Sequence, residues 1–210
     1  MGNRERLFDG WAEGYDASID SGDTYPFAGY DEVLDRIAEI AGLPAAGRVL
    51  DVGIGTGNLA SRFAPIECAI WGVDFSERML AKAAEKLPDA KLVKANLVDG
   101  WSDRLPERFD RIVSAYVLHE FPDEVKVRVL ADLSRHLHEK GRIVIGDIAF
   151  PDEAARVACR EAWLPVRDDE EFYWAAASIR PALEAVGLSV TYHQVSFCGG
   201  VFDISPAEER

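Results

Sequence analysis

Gly53, Gly55 and Gly57 follow the run Val49-Leu50-Asp51-Val52 at alternate positions. Glycine lets a backbone turn sharply and lets a ligand approach main-chain N–H groups without meeting a Cβ atom. Three of them directly after a buried strand therefore mark a binding turn rather than a purely structural one. The spacing is G-x-G-x-G, whereas a dinucleotide fingerprint starting at Gly53 requires Gly or Ala where Asn58 stands. Asp51 places a carboxylate shortly before the first glycine, where it repels a pyrophosphate and attracts a ligand bearing ammonium and sulfonium charges. A plainer role for Asp51, bonding nearby backbone at a strand end, stays open. Asp74 follows the first glycine by about 20 residues, the position from which an acid accepts hydrogen bonds from ribose hydroxyls. Charge and spacing together favour S-adenosylmethionine over NAD.

Two further residues could act on a second substrate. Tyr116 and His119 follow a strand, and His119 is suited to general-base work near neutral pH. A histidine at such a junction also serves as an ordinary hydrogen-bonding residue. His136 and His138 are two apart on a predicted helix and share no face, and His193 is isolated, so no metal site is expected. Asp168-Asp169-Glu170-Glu171-Phe172-Tyr173-Trp174 interleaves acids with aromatics and would suit a cationic or amphipathic acceptor. It reads equally as a solvated helix start with core aromatics.

These residues need a scaffold, and the hydrophobic periodicity supplies one. Tyr30, Val33, Leu34, Ile37, Ile40 and Ala41 recur at helical spacing before Gly42 and Pro44. Strands are predicted at 48–52, 69–73, 91–95, 111–115 and 142–148. Helices are predicted after the glycine turn, after Ser76, over the stretch bearing Val125, Val129, Leu130, Leu133 and Leu137, from Pro151 to Trp163, and before Gly187. Such alternation implies an α/β fold with a parallel, doubly wound sheet. The runs 188–195 and 197–204 are joined too tightly for a crossover helix and should pair antiparallel.

Length and composition bound the reading. The chain of 210 residues suits one well-buried domain spanning 1–210. A net charge of −14 opposes approach to nucleic acid or an anionic membrane. Cys68, Cys159 and Cys198 form no C-x-x-C pair and suit reduced thiols. The charged start is unlike a signal peptide, so a cytoplasmic location is expected. Oligomeric state is left open.

At this point a resemblance is visible. Val49 to Leu59 resembles motif I of class I S-adenosylmethionine-dependent methyltransferases, and Gly72 to Leu80 resembles motif II. Phe109 to His119 is similar to the fourth-strand motif of that family, and Gly141 to Asp147 to the fifth-strand motif. The family implies a Rossmann-like, doubly wound seven-stranded sheet with its last strand antiparallel. It implies that Asp51 and Gly53, Gly55 and Gly57 hold the methionine portion of the cofactor, Asp74 the ribose, and Phe75 the adenine. Asn96 stands where the family usually has Asp accepting from the adenine amino group, and an amide oxygen can still accept. Ser114 would lie under the cofactor, acting largely through backbone.

The resemblance also implies how the acceptor is covered. Phe8 to Asp16 resembles the N-terminal lid of the small-molecule branch, within a helical lid over 1–42, where Tyr15 would close over the methionine end. A substrate-covering insertion is implied at 151–180. Ser114-Ala115-Tyr116 replaces the Asn/Asp-Pro-Pro-aromatic run of nucleobase-modifying members, which disfavours a nucleobase acceptor. The expected activity is methyl transfer to an N, O or S atom of a small molecule, with no nucleic acid or membrane partner. The alternatives are a nicotinamide-dependent oxidoreductase and a non-catalytic S-adenosylmethionine-binding module.

Overall fold

A computed structural model describes residues 24–98, 105, 108–163 and 171–207. Helix α1 spans Tyr30–Ala41 and leads through Gly42 to strand β1, Arg48–Val52. Then follow β2 (Ala69–Asp74), α2 (Glu77–Lys86), β3 (Lys91–Lys94), β4 (Phe109–Ala115), α3 (Asp123–Ser134) and β5 (Leu137–Phe150). The chain continues with α4 (Glu153–Ala162), the two-residue β6 (Trp174–Ala175), α5 (Ala176–Ala185), β7 (Leu188–Gln194) and β8 (Gly199–Pro206).

Seven strands lie in the order β3-β2-β1-β4-β5-β8-β7, and β6 pairs with the end of β5. Strands β1 to β5 run parallel, while β8 is antiparallel to both β5 and β7. The doubly wound sheet with an antiparallel last strand is thus the one expected. Its strand order reverses between β1 and β4, and in open α/β sheets ligands bind at the carboxyl ends of the strands at such a switch point.

Local chemistry explains most boundaries. Val49, Leu50 and Val52 are buried, as a parallel strand covered on both faces requires. Ser76 caps α2 by accepting from the Met79 N–H, and Asp152 caps α4 by accepting from the Ala155 N–H at 2.8 Å. Helix α1 turns Val33, Leu34, Ile37 and Ala41 inward, and the first three are fully buried. It packs so tightly on β5 that a Cβ atom at Gly146 would stand 2.5 Å from both Ile37 Cδ1 and Val33 Cγ1.

Two elements differ from expectation. The glycine turn opens into a single 3₁₀ turn, Ala60–Arg62, and not an α-helix. The Ser61 N–H makes a single i→i−4 bond to the Gly57 carbonyl, shared with its own hydroxyl at 2.7 Å, and Pro65 disfavours helix in the residue before it. Leu137 and His138 belong to β5, not to the preceding helix, so the reasoning that set His136 and His138 on one helix does not apply. Leu137 pairs with Phe109, after which the register jumps to Arg111↔Arg142 across a bulge containing Lys140 at φ 67°. Residues 8–16, Tyr15 among them, and 164–170 lie outside the described residues. No helix among the described residues is long and apolar enough to cross a membrane.

The fit of α1 against β5 yields a first test. Gly146→Val should lower the free energy of unfolding by about 1–3 kcal/mol, the usual cost of overpacking a core. Urea denaturation measures it, and unchanged stability would mean that α1 does not bear on β5.

Candidate active site

The glycine loop leaves β1 beside the end of β2. Gly53, Gly55 and Gly57 all have positive φ, at 72°, 54° and 88°. Two of the three are also closely packed. A Cβ at Gly53 would meet Val117 Cγ2 at 2.4 Å, and one at Gly57 would meet Leu87 Cδ1 at 3.2 Å. Gly55 differs, because its missing Cβ would face open space, with only the Gly53 carbonyl at 4.0 Å. A side chain there would enter the cavity lined by Tyr30, Asp51, Ile54, Thr56, Asn58 and Ala115.

The loop does not present its N–H groups as an anion cradle. The N–H groups of Gly53 and Ile54 both donate to the Val73 carbonyl, that of Gly57 to the Ile54 carbonyl, and that of Gly55 to Asp74 Oδ2 at 3.0 Å. These four donors are engaged within the protein, so the loop shapes a space beside a carboxylate. Asp74 is 8% exposed and also accepts from the Ser76 N–H at 2.9 Å, which fixes its carboxylate against both loop and helix.

Asp51 is the unusual charge. It is 1% exposed, lines the cavity, and neither carboxylate oxygen has a hydrogen-bond partner among the described residues. Burial pushes its pKa up to about 8, the Ala60 N–H offsets this slightly without a bond of normal geometry, and the Asp74 charge adds to the rise. An unpartnered buried carboxyl is costly unless a cation or donor meets it.

The remaining expected residues fall around this cavity in different ways. Ser114 is buried and its hydroxyl donates to the Val52 carbonyl at 2.6 Å, tying β4 to β1. Phe75 directly follows Asp74 beyond β2 and is half-buried, while Asn96 follows β3 and its Oδ1 accepts from the Val98 N–H at 3.1 Å. Tyr116, buried at φ 56°, stacks on Tyr30 at 5.1 Å and meets the edge of Phe27 at 5.3 Å. A bulky residue held at positive φ is strained, and such strain clusters at functional sites.

His119 stands in the 3₁₀ turn after β4, 6% exposed. Its Nδ1–H donates to Asp147 Oδ1 at 2.6 Å, and its own N–H donates to Asp147 Oδ2 at 3.0 Å. Asp147 accepts as well from Trp174 Nε1 at 3.0 Å and from the Ile148 N–H at 2.8 Å. Burial alone would lower the His119 pKa, but the Asp147 charge and hydrogen bond outweigh it, with Glu171 and Glu120 adding, and the net shift is upward. For Asp147 burial is likewise overcome, by His119 and these donors, and its pKa falls. The other face of the imidazole looks toward Tyr173, which stands edge-on at 6.5 Å and itself adjoins Tyr25.

The sequence singles out Asp51, Asp74, Tyr116 and His119, and names Glu171 within the acidic, aromatic stretch before Trp174, but does not place Asp147 or Glu120 at a site. Asp147 had a signal, a lone acid inside the apolar run Ile143 to Phe150. Glu171 is brought to His119 by a backbone bond from the Phe172 N–H to the His119 carbonyl at 2.6 Å.

The family described as Methyltransferase domain matches residues 49–141 of this chain. A methyltransferase of Geobacillus kaustophilus, itself uncharacterized, is 36% identical over 203 residues, covering 90% of each chain. Among solved structures, DhpI in complex with SAH matches 98% of this chain and 96% of its own with a TM-score of 0.71 at 18% identity. A methyltransferase solved with the Haloferax volcanii Trm112 activator matches 96% and 98% with a TM-score of 0.72 at 16% identity.

Asp51 gives a pH test. Its folded pKa lies above the unfolded carboxyl value, so the folded state holds an extra proton between about pH 4 and 8 and loses stability as pH rises through that window. Asp51→Asn should flatten that slope in urea unfolding at pH 5 and pH 8. Equal slopes in both proteins would contradict the buried, unpartnered carboxyl.

Proposed function

The chain belongs to the class I S-adenosylmethionine-dependent methyltransferases, and from that premise we propose that it methylates an N, O or S atom of a small molecule at the carboxyl ends of β1 and β4. SAH, S-adenosylhomocysteine, is what the donor leaves behind after transfer, and its presence in DhpI supports that donor here. The observation that carries the residue assignment is Asp51. A cationic ligand with ammonium and sulfonium groups supplies what this carboxylate lacks, whereas a dinucleotide pyrophosphate does not. The nicotinamide alternative is accordingly dropped.

In this reading Asp51 and the space over Gly55 take the methionine end, Gly53 and Gly57 fix the turn, and Asp74 accepts from the ribose. Phe75 and Asn96 serve the adenine, and Ser114 keeps β4 against β1 beneath the donor. Tyr15, within a lid at the N-terminus, would close the donor site, and the 151–180 region would cover the acceptor within one domain of 1–210. The sulfonium is already a strong electrophile, so catalysis rests on in-line positioning of the two reactants. Tyr116 walls the junction between donor cavity and aromatic cluster. His119, oriented by Asp147, is the group suited to take a proton from the acceptor. Aromatic walls from Phe27, Tyr30 and Tyr116 favour an acceptor with an apolar body, and the strong net negative charge disfavours a polyanion. A turnover assay on pooled amines, thiols and hydroxyl compounds, following S-adenosylhomocysteine release, tests the acceptor class. Release with no pool would sink it.

S-adenosylmethionine and S-adenosylhomocysteine should raise the melting temperature while NAD does not, because a ligand specific to the native state stabilises it by mass action. Stabilisation by NAD alone would overturn the donor assignment. Gly55→Val should abolish S-adenosylhomocysteine binding in calorimetry while circular dichroism remains native, since the side chain would fill ligand space and not the core. Asp74→Ala should weaken the same binding by about 1–3 kcal/mol. Full affinity in either folded variant would remove that residue from the site.

A further inference from the structure

We propose that His119, Glu120 and Glu171 form a binding site for a divalent cation of the manganese-to-zinc series. One donor atom from each residue can be chosen so that all three lie within 4.8 Å of one another. His119 Nε2 stands 3.7 Å from Glu120 Oε1 and 3.6 Å from Glu171 Oε1. These separations are too long for hydrogen bonds. They are close to those a shared cation requires, because metal bonds of about 2.0–2.2 Å set tetrahedral donor atoms about 3.3–3.6 Å apart.

The surroundings hold the donors as a metal site does. Metal-ligating histidines characteristically donate their other ring N–H to a carboxylate, which fixes tautomer and ring orientation. Asp147 does this to His119 at 2.6 Å and is itself anchored by Trp174 and the Ile148 N–H. With the proton on Nδ1, Nε2 presents its lone pair to the two glutamates. Glu171 is held from its neighbours. The Phe172 N–H donates to the His119 carbonyl, the Phe172 carbonyl accepts from Lys126 Nζ at 2.6 Å, and the Tyr173 hydroxyl hydrogen-bonds the Glu171 carboxylate.

Charge points the same way. Three carboxylates, of Asp147, Glu120 and Glu171, converge on one imidazole whose side chain is 7% exposed, and the two glutamate side chains are only 16% and 18% exposed. A dication at His119 Nε2 would meet both glutamates directly in this poorly solvated place. One nitrogen and two carboxylate oxygens without sulfur suit Mn²⁺, Fe²⁺, Co²⁺ or Zn²⁺. All-oxygen sites favour Mg²⁺ and Ca²⁺ instead, and thiolates favour softer ions. Three protein ligands leave a coordination position open. With the cation bound, it would acidify a hydroxyl or thiol acceptor taking that position, in place of the base role that His119 has in the metal-free site. This last step rests on the methyl-transfer reading; the cation site does not.

The test uses the full chain stripped with chelator. Calorimetric titration with ZnCl₂ and MnCl₂ should give one cation per chain, with MgCl₂ at least about 10-fold weaker. Glu171→Gln and Glu120→Gln should each weaken Zn²⁺ binding at least about 10-fold while circular dichroism stays native, and Glu139→Gln, exposed on β5, should leave it unchanged. S-adenosylhomocysteine binding by the Glu171→Gln protein should persist, which separates this site from the donor site. No binding of either cation at millimolar concentration, or binding indifferent to both glutamate variants, would overturn the proposal.

Discussion

Asp51 is buried at the end of β1 with neither oxygen hydrogen-bonded among the described residues, and such a group costs several kcal/mol if ionised without a partner. Burial raises its pKa to about 8, which favours the protonated form that limits this cost. Everything around it serves this arrangement. Ser114 binds the Val52 carbonyl and so holds β4 against the strand that carries Asp51, and the paired register of β1 with β2 sets Asp51 opposite Gly72. Gly72 lets the Ile54 side chain lie close over β2, where a Cβ would meet Ile54 Cδ1 at 2.3 Å, and Ile54 lines the cavity together with Asp51 and Gly55.

Preorganisation extends from that point across the switch of strand order. Asp74 locks the loop through the Gly55 N–H and locks α2 through Ser76, so the loop geometry does not wait for a ligand. On the other side, Tyr116 is kept at a strained φ by a backbone bond to the Gly146 carbonyl and by stacking on Tyr30. Helix α1 supplies Tyr30 and also covers β5, so the wall of the cavity and the core share one element. On the neighbouring strand the Asp147 carboxylate has a parallel role, collecting His119, Trp174 and the Ile148 N–H around a single buried acid. Two buried aspartates thus flank the switch of strand order, Asp51 with no hydrogen-bond partner among the described residues and Asp147 saturated.

Much of this was legible in the residues. Periodicity placed α1, β1 and β2, Ser76 announced its helix, and the short join after Val195 announced the antiparallel pair. Asp51, the three glycines and Asp74 could be read because their chemistry is local: a strand end, a turn and the next strand end. The bulge that moved Leu137 and His138 into β5 was hidden, because a helical apolar spacing continues through a residue that in fact pairs with Phe109. The helix expected after Gly57 stops at one 3₁₀ turn, and Pro65, which disfavours helix in the residue before it, stands close behind. The meeting of Glu171 with His119 was hidden for a different reason, since it depends on the Phe172 backbone bond, which leaves no local pattern.

The central claim is that a protonated Asp51 yields its proton to make room for a cationic donor. Calorimetric titration of S-adenosylmethionine near pH 7, repeated in buffers of different ionisation enthalpy, measures the protons exchanged on binding. Release of close to one proton per chain, lost in Asp51→Asn, is the result this account predicts. Binding with no proton release, or release unchanged by the substitution, would contradict it.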